Sequence, residues 1–186
     1  GEPFLNYNAV INASKLLNDE NGIGLGARRI TISTVGIIPK IVQFTKEEHR
    51  FKLAISLNGS TQEQRLQTMP IAKKFPIQSL MDSAKKYYKQ RRRFLTFEYV
   101  LMDRINDEVM DAENLIHLIG SLPCKVNVIP YNEIDGEYKR PSNNRISRFI
   151  DVLKMAPFTV TVRWSNGTEI DAGCGQLVVN TGGVQS

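Results

Sequence analysis

Strand-like and helix-like segments take turns along this chain with short connectors between them, and that alternation restricts the fold more than any single motif. Runs rich in β-branched and aromatic residues occupy 29–34, 51–57, 94–101, 124–129 and 158–163. Helix signals separate them. Asn6-Tyr7-Asn8 offers side-chain caps for a helix through Leu17, with Val10, Ala13, Leu16 and Leu17 on its apolar stripe. Pro39 suits the first turn of a helix ending near Glu48. A third helix starts at Pro76 and turns Leu80, Met81, Ala84 and Tyr87 inward. Residues 108–119 carry Ala112, Leu115, Ile116 and Ile119 inward, and Ser142 caps a helix to about Met155 with Ile146, Phe149, Ile150 and Leu153 facing in. Residues 18–26 and 58–62 read as connectors. Such alternation implies parallel strands joined by right-handed crossovers. A closed barrel needs eight strands, and about five are visible. The fold class is therefore α/β, with a sheet that is either open and doubly wound or part of a (β/α) barrel.

A chain of 186 residues suffices for one domain that hides roughly 70% of its unfolded surface. Its net charge of +5 is compatible with a nucleic-acid partner but does not establish one. Cys124 and Cys174, without framework spacing, point to a reducing cytosol, hence a cytoplasmic protein. No apolar run approaches the ~20 residues needed to cross a bilayer, and no leader is evident. The opening Gly1-Glu2-Pro3 has no initiator methionine, so a fragment of a longer protein is expected.

Polar residues gather at the predicted C-terminal strand ends: Ser33 with Thr34, then Ser56, Leu57 and Asn58, then Asn132 just past Pro130. Glu2 would follow a strand preceding residue 1. In a parallel sheet such positions converge on one rim. There they suit a small zwitterion, the carboxylate taking its amino group and Ser and Asn taking ribose or carboxylate. Near the end, Gly173-Cys174-Gly175 sets a thiol between residues without a Cβ, which reads either as an exposed reactive loop or as a tight turn with a buried sulfur. Gly22-Ile-Gly24-Leu-Gly26 follows a helix and leads into a strand, which is the wrong context for a phosphate loop. The basic run of Lys85, Lys86, Lys89, Arg91, Arg92 and Arg93, interleaved with Tyr87 and Tyr88, is either a solvated helix end or an RNA contact. Arg28-Arg29 and the set Lys139, Arg140, Arg145 and Arg148 leave the same choice open. His49 is expected to be exposed, His117 a satisfied helix residue and Cys124 a packing residue. No metal site is expected from them.

Five stretches together resemble one family. They are Gly1-Glu-Pro-Phe-Leu-Asn6, Ala27-Arg-Arg-Ile-Thr-Ile-Ser-Thr-Val-Gly36, Phe94-Leu-Thr-Phe-Glu-Tyr-Val-Leu101, Leu122-Pro-Cys-Lys-Val-Asn-Val-Ile-Pro-Tyr-Asn132 and Ile170-Asp-Ala-Gly-Cys-Gly-Gln-Leu177. They are similar to the radical S-adenosylmethionine (SAM) enzymes that methylate an adenine of 23S ribosomal RNA, the RlmN and Cfr family. The resemblance implies a partial barrel truncated at its N-terminus, filling residues 1–186, with 164–186 as a loop and tail. It implies that Gly1 and Glu2 bind the methionyl amino group of SAM and that Ser33, Ser56, Leu57, Asn58 and Asn132 make its other contacts. It implies that Cys174 is the methylated carrier cysteine, that a second SAM is cleaved at a [4Fe–4S] cluster, and that an electron donor such as flavodoxin serves the reaction. The family's C-x3-C-x2-C cluster ligands are absent here. Asn58 stands where His is expected and Gly173 where Ala is expected. The resemblance favours methylation of adenine carbon 2 of 23S rRNA, with tRNA as a second substrate, by a full-length parent whose fragment is inactive. Another radical SAM enzyme, such as an activase, and a non-catalytic RNA-binding module are the alternatives.

Overall fold

The computed structural model describes residues 1–133 and 137–164. Five strands, β1 (Thr31–Thr34), β2 (Lys52–Ser56), β3 (Leu95–Leu101), β4 (Cys124–Pro130) and β5 (Thr159–Val162), form one parallel sheet in the order β1-β2-β3-β4-β5. A doubly wound sheet reverses direction at a switch point. This one adds each strand outside the last, and right-handed crossovers then place the connecting helices on one face. The strand order thus selects the arc of a (β/α) barrel.

The helices are α1 (Tyr7–Asn18), α2 (Ile38–Lys46), α3 (Gln62–Thr68), α4 (Ile77–Arg91), α5 (Val109–Ile119) and α6 (Asn143–Leu153). Pro39 sits in the first turn of α2, a reciprocal Glu108–Asp111 box opens α5, and the Ser142 hydroxyl accepts from Arg145 N at the start of α6. Period-two burial divides the sheet. On β3, Leu95, Phe97, Tyr99 and Leu101 are sealed beneath the helices, while Thr96, Glu98 and Val100 are half-buried on the other face. Each large apolar side chain buried in that layer contributes about 1.5–3 kcal/mol. Phe44 of α2 stacks on Tyr87 of α4, with ring centroids 6.4 Å apart.

Several expectations need correction. In α1 the buried face is Tyr7, Ile11 and Ser14, whereas Leu16 and Leu17 are 71% and 37% exposed. The rotation follows from Tyr7, whose ring meets Phe4 edge-on and whose hydroxyl donates to Glu47 Oε2 at 2.6 Å. The first strand begins at Thr31 because Ala27–Arg29 form a 3-10 turn. Helix α3 and the 3-10 turn Pro70–Lys73 lie between the expected connector at 58–62 and the helix expected from Pro76, where no element was expected. His49 is not exposed. Its side chain is 12% accessible, stacks on Phe51 and meets Glu47 Oε2 at 2.8 Å. His117 is exposed on α5, and Cys124 is packed in the core as expected.

Candidate cofactor-binding rim

Arg65 of α3 ties two strand ends together. It is fully buried, and its guanidinium donates to the carbonyl of Val35 after β1 and to those of Ser56 and Leu57 at the end of β2. No carboxylate pairs with it among the described residues, and its Nε has no partner there. Two glycines make the approach feasible. A Cβ on Gly36, whose φ is +105°, would lie 3.0 Å from Arg65 Nη2, and one on Gly59 would lie 2.9 Å from the Arg65 backbone nitrogen. Gln64 extends the brace to the β3–α5 loop through Ile105 O and to the first turn of α5 through Asp111. Asn106, also buried, donates to Val100 O and Asn58 O and accepts from Met102 N.

On this frame the face away from the helices carries a polar belt that runs from the ends of β1 and β2 to the middle of β3 and β4. Ser33 and Ser56 both donate to Glu98 Oε2, at 2.8 and 3.2 Å. Ser56 is registered beside Glu98 and Glu98 beside Asn127, which accepts from Thr161 at 3.1 Å. Glu2 lies at the same rim. Its Oε1 accepts from Phe4 N at 3.0 Å and Thr34 Oγ1 at 2.6 Å, and its Oε2 from Val35 N at 2.8 Å. Sequence reasoning thus named Glu2, Ser33 and Ser56, which the structure groups around the ends of β1 and β2, but missed Glu98 and Arg65. A signal for Glu98 was present, as a lone charge in an apolar strand sharing parity with Thr96.

The other candidates stand differently. The Leu57 side chain is fully buried, and its backbone is held by Glu98 O and Arg65. Asn58, at φ +50°, turns its side-chain oxygen to Val100 N at 2.9 Å, which fastens the β2 tip to β3. Asn132 is half-buried just beyond β4, and Gly1 is exposed. Cys174 lies outside the described residues, as do residues 165–186 of the expected loop and tail. The basic run lies at the opposite rim, where α4 feeds the start of β3. Arg91 pairs with Glu48 at 2.8 Å, Arg93 donates to His49 O, and Tyr87 is core and closed to stacking, while Tyr88 is half-buried against Phe94. Arg145 is engaged by Asp107 and Glu108.

No protein-family model matches the chain. It is 46% identical over 182 residues to a probable dual-specificity RNA methyltransferase RlmN 3 of Opitutus terrae, covering 97% of this chain and 49% of that protein. The chain is a homologue of the RlmN radical SAM methyltransferases. It is 44% identical over 178 residues to a probable dual-specificity RNA methyltransferase RlmN of Alkaliphilus oremlandii, covering 95% of this chain and 52% of that one. The chain spans about half the length of the curated RlmN relatives it matches. Its fold superimposes on the crystal structure of a radical SAM methyltransferase from Sphaerobacter thermophilus with a TM-score of 0.90 and 41% identity, over 95% of this chain and 52% of that one. A domain of pyruvate-formate lyase-activating enzyme from Bacteroides vulgatus matches with a TM-score of 0.61 at 15% identity, which shows a shared fold alone.

The two cofactors of that family fare differently here. A belt of acceptors around the ends of β1 and β2 fits the hydrogen-bond donors of SAM, its ammonium and ribose hydroxyls. A [4Fe–4S] cluster does not fit the described residues, which contain no group of three His, Cys, Asp or Glu able to hold a metal. Cys124 is buried, and burial pushes its thiol pKa up to about 12, away from thiolate.

Proposed function

We propose that this chain is the SAM-binding portion of an RNA methyltransferase that modifies carbon 2 of an adenine in 23S rRNA, with tRNA as a second substrate and a flavodoxin-type electron donor. The observation that carries the reading is the convergence of Glu2, Ser33, Ser56 and Glu98 around the ends of β1 and β2 in an RlmN homologue. Bound SAM supplies an activated methyl group on a sulfonium. The chain's own part is binding and orientation. Glu2, already fixed by Thr34 and Val35, takes the cofactor's amino group beside Gly1, and Ser33 and Ser56 face its remaining donors. Asn58 and Asn132 flank them from the ends of β2 and β4. Cys174, set between Gly173 and Gly175, is the methyl carrier. Its flanking glycines give the thiolate room to be reached by a displacement.

The reading predicts a methyl adduct on Cys174 in intact-mass spectra of the protein co-expressed with the full-length enzyme. It also predicts that Cys174→Ala in the complete protein abolishes adenine methylation of RNA. Methylation that survives this substitution sinks the carrier role. The 186-residue chain alone is expected to incorporate no cluster and to show no turnover, which stoichiometric iron and sulfide in the purified chain would refute.

A further inference from the structure

A serine hydroxyl has one hydrogen to give. At Ser33 and Ser56 that hydrogen goes to the same atom, Glu98 Oε2. Each hydroxyl is left with lone pairs only. The second oxygen of Glu98 accepts no hydrogen bond among the described residues. Glu2 is likewise acceptor-only, its oxygens turned to Phe4 N, Thr34 and Val35 N. These four side chains therefore offer a ligand acceptors and negative charge.

We propose that Glu98 is a positioning residue of the SAM site: it locks Ser33 and Ser56 as hydrogen-bond acceptors, so that they take the cofactor's donors, its ammonium and ribose hydroxyls, and turn away its carboxylate. The inference rests on the proposed reading of this rim as a SAM site. It narrows the expectation from sequence that the serines serve ribose or carboxylate alike. A methionyl carboxylate brought to these lone pairs meets acceptors and like charge, which costs binding energy instead of adding to it. The position of Glu98 supports the assignment. It is registered directly beside Ser56 on the neighbouring strand, so the contact is set by sheet pairing and not by a loop.

Leucine is the informative replacement, because it keeps much of the bulk but removes both acceptor oxygens, whereas a glutamine carbonyl in the place of Oε2 would still accept from both serines. Equilibrium titrations with SAM and with decarboxylated SAM test the idea in the full chain. Glu98→Leu is expected to weaken both ligands by the same factor, about tenfold or more. In a Ser33→Ala/Ser56→Ala background the same change is expected to cost less than about threefold, because the groups it orients are gone. A loss confined to SAM, a loss undiminished in the double-alanine background, or wild-type affinity in Glu98→Leu each overturns the proposal. Absence of saturable SAM binding by the unmodified protein refutes the site itself, an outcome distinct from the other three. Melting temperatures of the variants identify any loss that comes from unfolding.

Discussion

Arg65 is a guanidinium sealed from water with carbonyl oxygens in place of a carboxylate. Burial pushes its pKa down to about 10, which leaves it charged at neutral pH. A lysine ammonium is a compact point charge and cannot span the tips of both β1 and β2 as the planar fork does. Arg65→Lys is therefore expected to lower the unfolding free energy by about 2–4 kcal/mol in urea titrations. A loss below about 0.5 kcal/mol would show that the brace is not needed. Cys124 gives a second check. With its thiol buried and held near 12, it is expected to resist thiol reagents at pH 8 until the protein unfolds. Two rapidly labelled thiols would contradict that. The two residues missed from sequence differ in kind. Glu98 interrupts an apolar strand and was readable. Arg65 sits in Gln62-Glu-Gln-Arg-Leu66, where nothing local distinguishes a buried arginine from a solvated one.

The helices show where periodicity stops being informative. In α4 the stripe Leu80, Met81, Ala84 and Tyr87 faces inward as its spacing dictates. In α1 two overlapping stripes were available, and a contact from outside the helix, the Tyr7 to Glu47 bond, selects between them. That bond has a pH signature. Burial alone would raise the pKa of Glu47, but hydrogen bonds from Tyr7, Gln43 and His49 outweigh it and hold the carboxyl at about 2. A carboxylate with a folded pKa below its unfolded value of roughly 4.3 stabilises above that value and loses the contribution as pH falls. Melting temperature is expected to drop between about pH 4.5 and pH 2, with a shallower slope in Tyr7→Phe. The effect is small because Glu47 is largely solvated, and identical slopes would remove Glu47 as its source. Helix α3 carried a readable start in Thr61, which caps Gln64 N, yet its seven residues gave too little periodicity to separate it from a loop.

For the molecule as a whole, the alternation of segments was enough to predict a parallel sheet, and the five strands it suggested are found among the described residues. What alternation could not supply was their order across the sheet, since a doubly wound and a barrel-like arrangement share one string of elements. The order β1-β2-β3-β4-β5 has a temporal meaning as well. Among the described strands, none must be threaded between two that are already paired, and each finds its partner in a sequence neighbour. Each β-α unit can dock on its predecessor as soon as it leaves the ribosome, so synthesis and assembly run in the same direction.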